Sequence, residues 1–395
     1  MAGLAYGKND SDEAVEGLII MKTKQHQWMF KATVMTLALI LLSGLLAPHF
    51  IKQLVAKEMD SLHIQQAEPK EDKHAVYEPV LPDYTVKYGR DFAAHDSFHH
   101  DVWHYRANLK GNDGQEYGVQ WTVYRIANGD HQGIGWNNAQ IYTAQVVVST
   151  ANHSWSQQRI SRGGIGQAGV MMYPFRLWID DWSWVSNNNF AMPSHLMVKT
   201  DDFKVSLNNA SYGPFVLNGD KGYKKTHDLM SIASYSFSAP FLKTKGTLTL
   251  NGREVKVQGL AWLDKEWGNH LISTPSLRWD SFNLHLTDGR VLSLTQYHNS
   301  QNIRYISGTL SRKNGSTTII KNDEVRIYPL ERQRLLNGKE LPLRWVIELP
   351  KYQISLITQS LNKELWLPFW VPSWEGPIVV TGSHKGVGFM QLTGY

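Results

Sequence analysis

The 395-residue chain contains no cysteine. That excludes disulfide scaffolds, thiolate zinc sites, Fe–S clusters and thiol nucleophiles in any compartment. Charge is sparse too: 19% of residues are charged, 40 basic against 35 acidic, and the net +5 is not gathered into runs. Lysines and arginines are not interleaved with aromatics, so no nucleic-acid groove is expected. Neither H-E-x-x-H nor G-x-S-x-G occurs, which removes the helical zinc-protease site and the hydrolase nucleophile elbow. Beyond residue 80 there is no amphipathic helix longer than about two turns. Two motifs fail on context. Gly164-x-Gly166-x-x-Gly169 matches a dinucleotide fingerprint, but Pro174 follows instead of a helix, and a glycine-rich turn is the better reading. His99, His100 and His104 resemble a metal set, yet on a strand His100 and His104 stand about 13 Å apart, too far for one ion. No metal or cofactor is expected.

One long hydrophobic run is present. Twenty uncharged residues, 32–51, lie between Lys31 and Lys52, enough to span a bilayer as a helix, with Trp28, Phe30 and Phe50 at interfacial positions. We read 1–31 as a cytoplasmic tail, 32–51 as a transmembrane signal anchor and 52–82 as a juxtamembrane linker. The rest is then periplasmic at the inner membrane. The competing reading is a cleaved signal peptide and a secreted protein.

From Asp83 onward the pattern repeats every two residues. Tyr117, Val119, Trp121 and Val123 share one face, and Phe282, Leu284 and Leu286 alternate with Ser281, Asn283 and His285. Turn dipeptides punctuate these runs, among them Asp113-Gly114, Asn251-Gly252, Asp288-Gly289, Asn314-Gly315 and Asn337-Gly338. An all-β protein of this length is expected to close into two antiparallel barrels, 83–268 and 269–395.

Tryptophan (15) outnumbers phenylalanine (13). Such residues suit the walls of a lipophilic cavity or an ordinary core. The densest segment, AWLDKEWGNH (Ala261–His270), holds two carboxylates and two tryptophans. If extended, Trp262, Asp264 and Glu266 point one way and Leu263, Lys265 and Trp267 the other. An acid shielded beside indole holds its proton and is able to protonate a substrate, and aromatic faces stabilise a carbocation. Alternatively, Asp264 or Glu266 ties down a loop or a barrel contact by bonding an indole N–H, the backbone or an arginine.

These segments in this order resemble the AttH-like/carotenoid 1,2-hydratase (CrtC) family of lipocalin-like proteins, often labelled "predicted secreted hydrolase". The resemblance covers about Tyr88 to Tyr395. It rests on YGVQWTVYR (Tyr117–Arg125), RISRGGIGQAG (Arg159–Gly169), WIDDWS (Trp178–Ser183), NGDKGY (Asn218–Tyr223), LAWLDKEWG (Leu260–Gly268), WDSFNLHLTDGR (Trp279–Arg290), LPLRWVIELP (Leu341–Pro350), SWEGPIVVTG (Ser373–Gly382) and the terminal GFMQLTGY. It implies two lipocalin-like barrels packed together. In the hydratase branch the resemblance makes Asp264 the acid, with Tyr235 and Phe237 standing where that branch has His and Trp, and Trp262 and Glu266 where it has Tyr and Asn. Two further departures are the segment Asp101–Leu109, which lacks one Trp and one Tyr of the family pattern, and Gln391, which replaces a closing glutamate. With the acid present and its helpers changed, the chain is similar to the AttH-like branch, whose members are associated with ABC-type export systems.

Three functions follow. The first is a membrane-anchored carrier of a lipid- or isoprenoid-like molecule, lined by Trp103, Tyr105, Trp121, Tyr235, Phe237, Trp262, Trp267 and Trp279, serving an ABC transporter permease. The second is a hydratase or hydrolase in which Asp264 donates the proton and Glu266 positions water. The third is a structural or interaction subunit without a small ligand.

Overall fold

The structure, a computed structural model, describes residues 77–128, 133–188, 190–225, 233–269, 278–298 and 304–395. The chain divides into two units, Met1–Asp72 and Lys73–Tyr395, and every described residue lies in the second. The expected membrane segment 32–51 falls outside the described residues. Among the described residues no helix is long and apolar enough to cross a membrane.

Two antiparallel sheets make up the fold. The first runs through β1 (His100–Gly111), β2 (Glu116–Ala127), β3 (Gln140–Ser149), β4 (Ser154–Arg162), β5 (Ala168–Met172), β6 (Phe175–Ile179), β7 (Trp182–Val185), β8 (Ser194–Lys199), β9 (Phe203–Ser211), β10 (Val216–Leu217), β11 (Tyr223–Lys225), β12 (Ala233–Leu250) and β13 (Arg253–Gly268). Its order is β4-β3-β2-β1-β13-β12-β9-β8-β7-β6-β5, with β10 and β11 paired to β12. The sheet curls into a nearly closed barrel. Its β4 edge approaches the β6–β7 hairpin, where Arg159 pairs with Asp181 and lies 4.2 Å over the Trp182 ring.

The second sheet comprises β14 (Arg278–Leu286), β15 (Arg290–His298), β16 (Arg304–Arg312), β17 (Thr317–Ile320), β18 (Arg326–Arg334), β19 (Glu340–Leu349), β20 (Ile354–Ser360), β21 (Trp366–Leu367), β22 (Ser373–Gly382) and β23 (Gly386–Thr393). The expected second full barrel is a half-barrel instead. Its ends explain why it stays open. β17 has only four residues, and β18 carries Pro329, two register shifts and an exposed, charged sequence, features that stop a strand from pairing further.

The turn signals place the hairpins. Asn251 and Gly252 both have positive φ, as a type I′ turn requires, whereas at Asp113-Gly114, Asp288-Gly289, Asn314-Gly315 and Asn337-Gly338 only the glycine is left-handed. The Gly164 and Gly166 pair also turns with positive φ, and β5 follows it, not a helix.

Each sheet wraps its own core. Trp103, Tyr105, Trp121, Trp184, Tyr235 and Trp267 fill the barrel, and Phe282, Leu294, Trp345, Ile347, Trp374 and Met390 fill the half-barrel. The barrel also takes in the chain ahead of β1. Tyr84 packs on Tyr235 with ring centroids 4.4 Å apart, His95 stacks on Trp267 at 4.1 Å, and the Trp103 indole donates to the Phe92 carbonyl. The outer faces of β1, β2, β12 and β13 pack on those of β14, β22 and β23, forming a seam.

A polar cavity in the seam

Strand alternation sorts β1 and β13 into two faces. On β1, Trp103, Tyr105, Ala107 and Leu109 point into the barrel core, leaving His100, Val102, His104 and Arg106 toward the seam. On β13, Ala261, Leu263 and Trp267 point inward, and Asp264 and Glu266 line the seam. Across it β14 contributes Trp279, Ser281 and Asn283, and β15 contributes Thr295 and Tyr297. These walls enclose a cavity of about 140 Å³.

A charged network frames it. The Arg106 guanidinium donates from Nη1 to Asp264 Oδ2 at 2.6 Å and from Nε to Glu375 Oε1 at 2.7 Å. Its Nη2 lies 2.7 Å from His104 Nδ1. Because arginine has no acceptor, that Nδ1 must accept, which places the His104 proton on Nε2, 2.8 Å from Glu375 Oε1. Burial lowers the His104 pKa and the Arg106 charge lowers it further, so the ring is neutral despite the nearby carboxylates. Burial raises Glu375, but His104 and Arg106 override it and hold the carboxyl below its usual range. Glu375 reaches the network from β22 of the half-barrel, so the network joins both sheets.

Asp264 accepts from three donors: Arg106, the Trp262 indole at 2.7 Å and the Ser238 hydroxyl at 2.5 Å. Glu266 accepts from Lys224 Nζ at 3.0 Å and from Ser234 Oγ at 2.8 Å. Burial pulls Lys224 down, yet Glu266 and Tyr297 hold its pKa above the ordinary lysine value. Burial raises the pKa of both the Tyr124 and the Tyr297 phenol, with Lys224 opposing it at Tyr297, so both stay protonated. Arg106 and Lys224 thus face Asp264, Glu266 and Glu375: two cations against three carboxylates, one net negative charge with His104 neutral.

The residues singled out in the sequence are therefore divided. Asp264, Glu266 and Trp279 line the cavity. Trp262 borders it through its bond to Asp264 and packs with Phe241 and Val291 in the seam. Trp103, Tyr105, Trp121, Tyr235, Phe237 and Trp267 lie in the barrel core, on the opposite face of the sheet. The hydratase-like set is split in the same way. Asp264 has Ser238 as its cross-strand partner, whereas Tyr235 and Phe237 pair with Trp267 and Lys265 and point inward. Lys265 is buried inside the barrel, ion-paired with Asp101 and 3.7 Å from the Trp103 ring centroid.

Sequence reasoning missed Arg106, Lys224, Tyr297 and Glu375 as site residues and left His104 as a polar strand histidine. The signal for two of them was present: His104 and Arg106 fall on the polar phase of a strand whose other phase runs Trp103, Tyr105, Ala107 and Leu109, with Asp101 its one charged residue. Gln391, where the family pattern has glutamate, also lines the cavity. Among the described residues no His, Asp or Glu cluster is arranged to hold a metal ion.

Comparison with known proteins agrees with this architecture. The sequence profile of the family described as AttH-like matches residues 79–395. The crystal structure of a protein assigned as AttH from Nitrosomonas europaea superposes with a TM-score of 0.71 at 24% identity, covering 80% of this chain and 99% of that one. Kievitone hydratase from Nectria haematococca superposes with a TM-score of 0.59 at 15% identity, covering 80% and 98%. At these identities the likeness is one of fold. No curated protein matches the chain in sequence.

Proposed function

The chain belongs to the AttH-like family, and on that premise we propose that it binds a small, neutral, hydroxyl-bearing molecule, or the polar end of a larger one, in the seam cavity. The observation that carries this reading is the lining: a ring of paired charges with a neutral histidine and two protonated phenols surrounds about 140 Å³ of space. A water needs about 10–15 Å³ by this kind of measure, so the cavity holds roughly ten non-hydrogen atoms. A whole isoprenoid or lipid chain exceeds that volume, and the barrel interior is taken up by tryptophans and by residues 84–95 of the chain itself. A greasy carrier function is then restricted to a ligand whose polar head enters the seam beside Trp279, with its tail outside.

Native mass spectrometry of the full chain extracted in detergent tests this. A retained small molecule is expected, lost in the Glu266→Gln/Lys224→Met variant that dissolves one ion pair of the cavity. A bare wild-type mass, with no thermal stabilisation by any member of a panel of polyols, phenols and isoprenoid alcohols, overturns it.

The hydratase reading has one support, the fold shared with kievitone hydratase. Its acid is not well served by Asp264, whose three partners are all donors; the protonated groups facing the cavity are Tyr124, Tyr297 and Lys224. Product formation abolished by Tyr297→Phe, with ligand retention unchanged, is the result that favours catalysis over binding.

We further propose that 32–51 anchors the protein in the inner membrane, where it serves an ABC-type export complex. Carbonate-washed membranes retain the full-length chain if the anchor is uncleaved. A soluble chain whose N-terminus lies beyond residue 47 removes both parts of this proposal.

A further inference from the structure

A second concavity lies on the outer surface of the barrel, away from the seam cavity, and has a volume of about 1120 Å³. Its floor is a single transverse row. Lys110 pairs with Gln258, Gln258 with Lys245, Lys245 with Asn208, and Asn208 with His195, so these five side chains from β1, β13, β12, β9 and β8 share one face. The opposite face of the same strands is the barrel interior, where Tyr105 bonds Asn209 and Thr244. Lys243 extends the row one step along β12. Lys110, Lys243, Lys245, Asn208 and Gln258 are all exposed.

The charge of this groove is one-sided. Among the described residues three lysines line it, no Asp or Glu does, and none of the three makes an ion pair, Lys243 lying 5.5 Å from the Tyr212 ring centroid. Lysines left unpaired on a concave surface attract an anion. Spacing sets what kind. Strands lie about 4.8 Å apart, so Lys110 and Lys245, two strands apart, are separated by about 10 Å, and Lys243 and Lys245 by about 7 Å. Flexible lysine stems let two of these ammoniums converge on one small anion, whereas an extended chain with repeated charges meets all three where they stand.

The rest of the lining narrows the class. Amides such as Asn208 and Gln258 both donate and accept, matching hydroxyl groups, which do the same. Among the described residues no aromatic side chain lines the groove, so nucleic-acid bases have no platform on which to stack. Among the described residues its apolar side chains are Val185, Pro193, Ala210 and Leu260, too few to anchor a peptide through buried hot spots. The geometry points to an acidic polysaccharide laid across the strands, its carboxylates on Lys110, Lys245 and Lys243 and its hydroxyls on the amides.

The test is the affinity of the full chain for fluorescently labelled oligogalacturonate, measured by polarisation. Binding is expected, weakening with added salt, with none to neutral dextran oligomers. Lys110→Gln/Lys245→Gln should raise Kd by about tenfold or more, the loss expected for removing charge-assisted hydrogen bonds. Lys321→Gln/Lys363→Gln removes the same charge from the exposed surface of the half-barrel and should leave Kd within about twofold. Equal weakening by both pairs would show diffuse attraction to a basic protein and overturns the groove. So does equal or tighter binding of single-stranded DNA of matched charge, or the absence of binding to oligogalacturonate.

Discussion

At the scale of single residues, Arg106 is the charge on which the seam depends. It touches Asp264 and Glu375 at 2.6 and 2.7 Å from a position that is 5% exposed. Removing one partner of a buried ion pair leaves an unpaired charge, which costs about 3–5 kcal/mol. Arg106→Met leaves two carboxylates without a cation, so a loss at the upper end of that range is expected in guanidinium denaturation. Glu375→Gln added to Arg106→Met should recover part of it, because one stranded charge is then neutral. If the double variant is no more stable than the single, the network does not act through charge. Asp264→Asn is a different experiment. The amide keeps an acceptor for Trp262 and Ser238 but can turn its N–H₂ toward Arg106, donor against donor, so a cost of about 1–3 kcal/mol is expected. A loss of activity in that variant is interpretable only beside its unfolding curve.

At the scale of elements, period-two alternation carried most of what the sequence revealed. The division of Trp262, Asp264 and Glu266 from Leu263, Lys265 and Trp267 is the division the strand shows, because a side chain's face is decided locally. Partnership is not local. β1 meets β13 across about 150 residues, and the register that opposes Asp264 to Ser238 and sends Tyr235 inward depends on how three strands align. Glu375 arrives from another sheet, and no spacing announces it. The same distant packing explains a pH dependence. His104 and His285 both sit in the seam. His285 Nε2 donates to the Pro240 carbonyl at 2.6 Å, and burial pulls its pKa down to about 4, while that bond opposes the shift. Unfolded histidine titrates near 6.5, so below that value the unfolded chain takes up protons that the folded chain does not. The stabilisation is whole above pH 6.5 and is lost as the pH falls toward 4, about 3 kcal/mol for His285 alone. His285→Gln, which still offers an N–H to Pro240, should flatten the stability profile between pH 6.5 and 4. A profile unchanged by the substitution would place the sensitivity elsewhere.

At the scale of the whole molecule, the half-barrel raises the question of what completes it. An open sheet with a core of its own leaves one outer face to be covered, and the barrel covers it. The contacts are spread along the seam. Gln120 donates to the Glu375 carbonyl at 2.8 Å, Asn108 to that of Gly388 at 3.0 Å, and Asn362 to that of Thr150 at 3.0 Å. The Trp370 amide donates to Gln158 at 2.8 Å. Opening the seam would expose these groups together with the paired charges of the cavity, and the cost of uncovering buried polar and charged groups falls on both sheets at once. The sheets should therefore unfold as one unit. Calorimetry of the full chain is expected to give a single transition for the β-structure, with calorimetric and van't Hoff enthalpies equal, despite the two separate cores. Arg106→Met, by removing the charge shared by Asp264 and Glu375, should lower that transition and split it, the half-barrel melting first because its sheet is open. Two transitions already present in the wild-type chain would mean that each sheet stands alone, and the seam cavity would then lack the rigid walls on which selective binding depends.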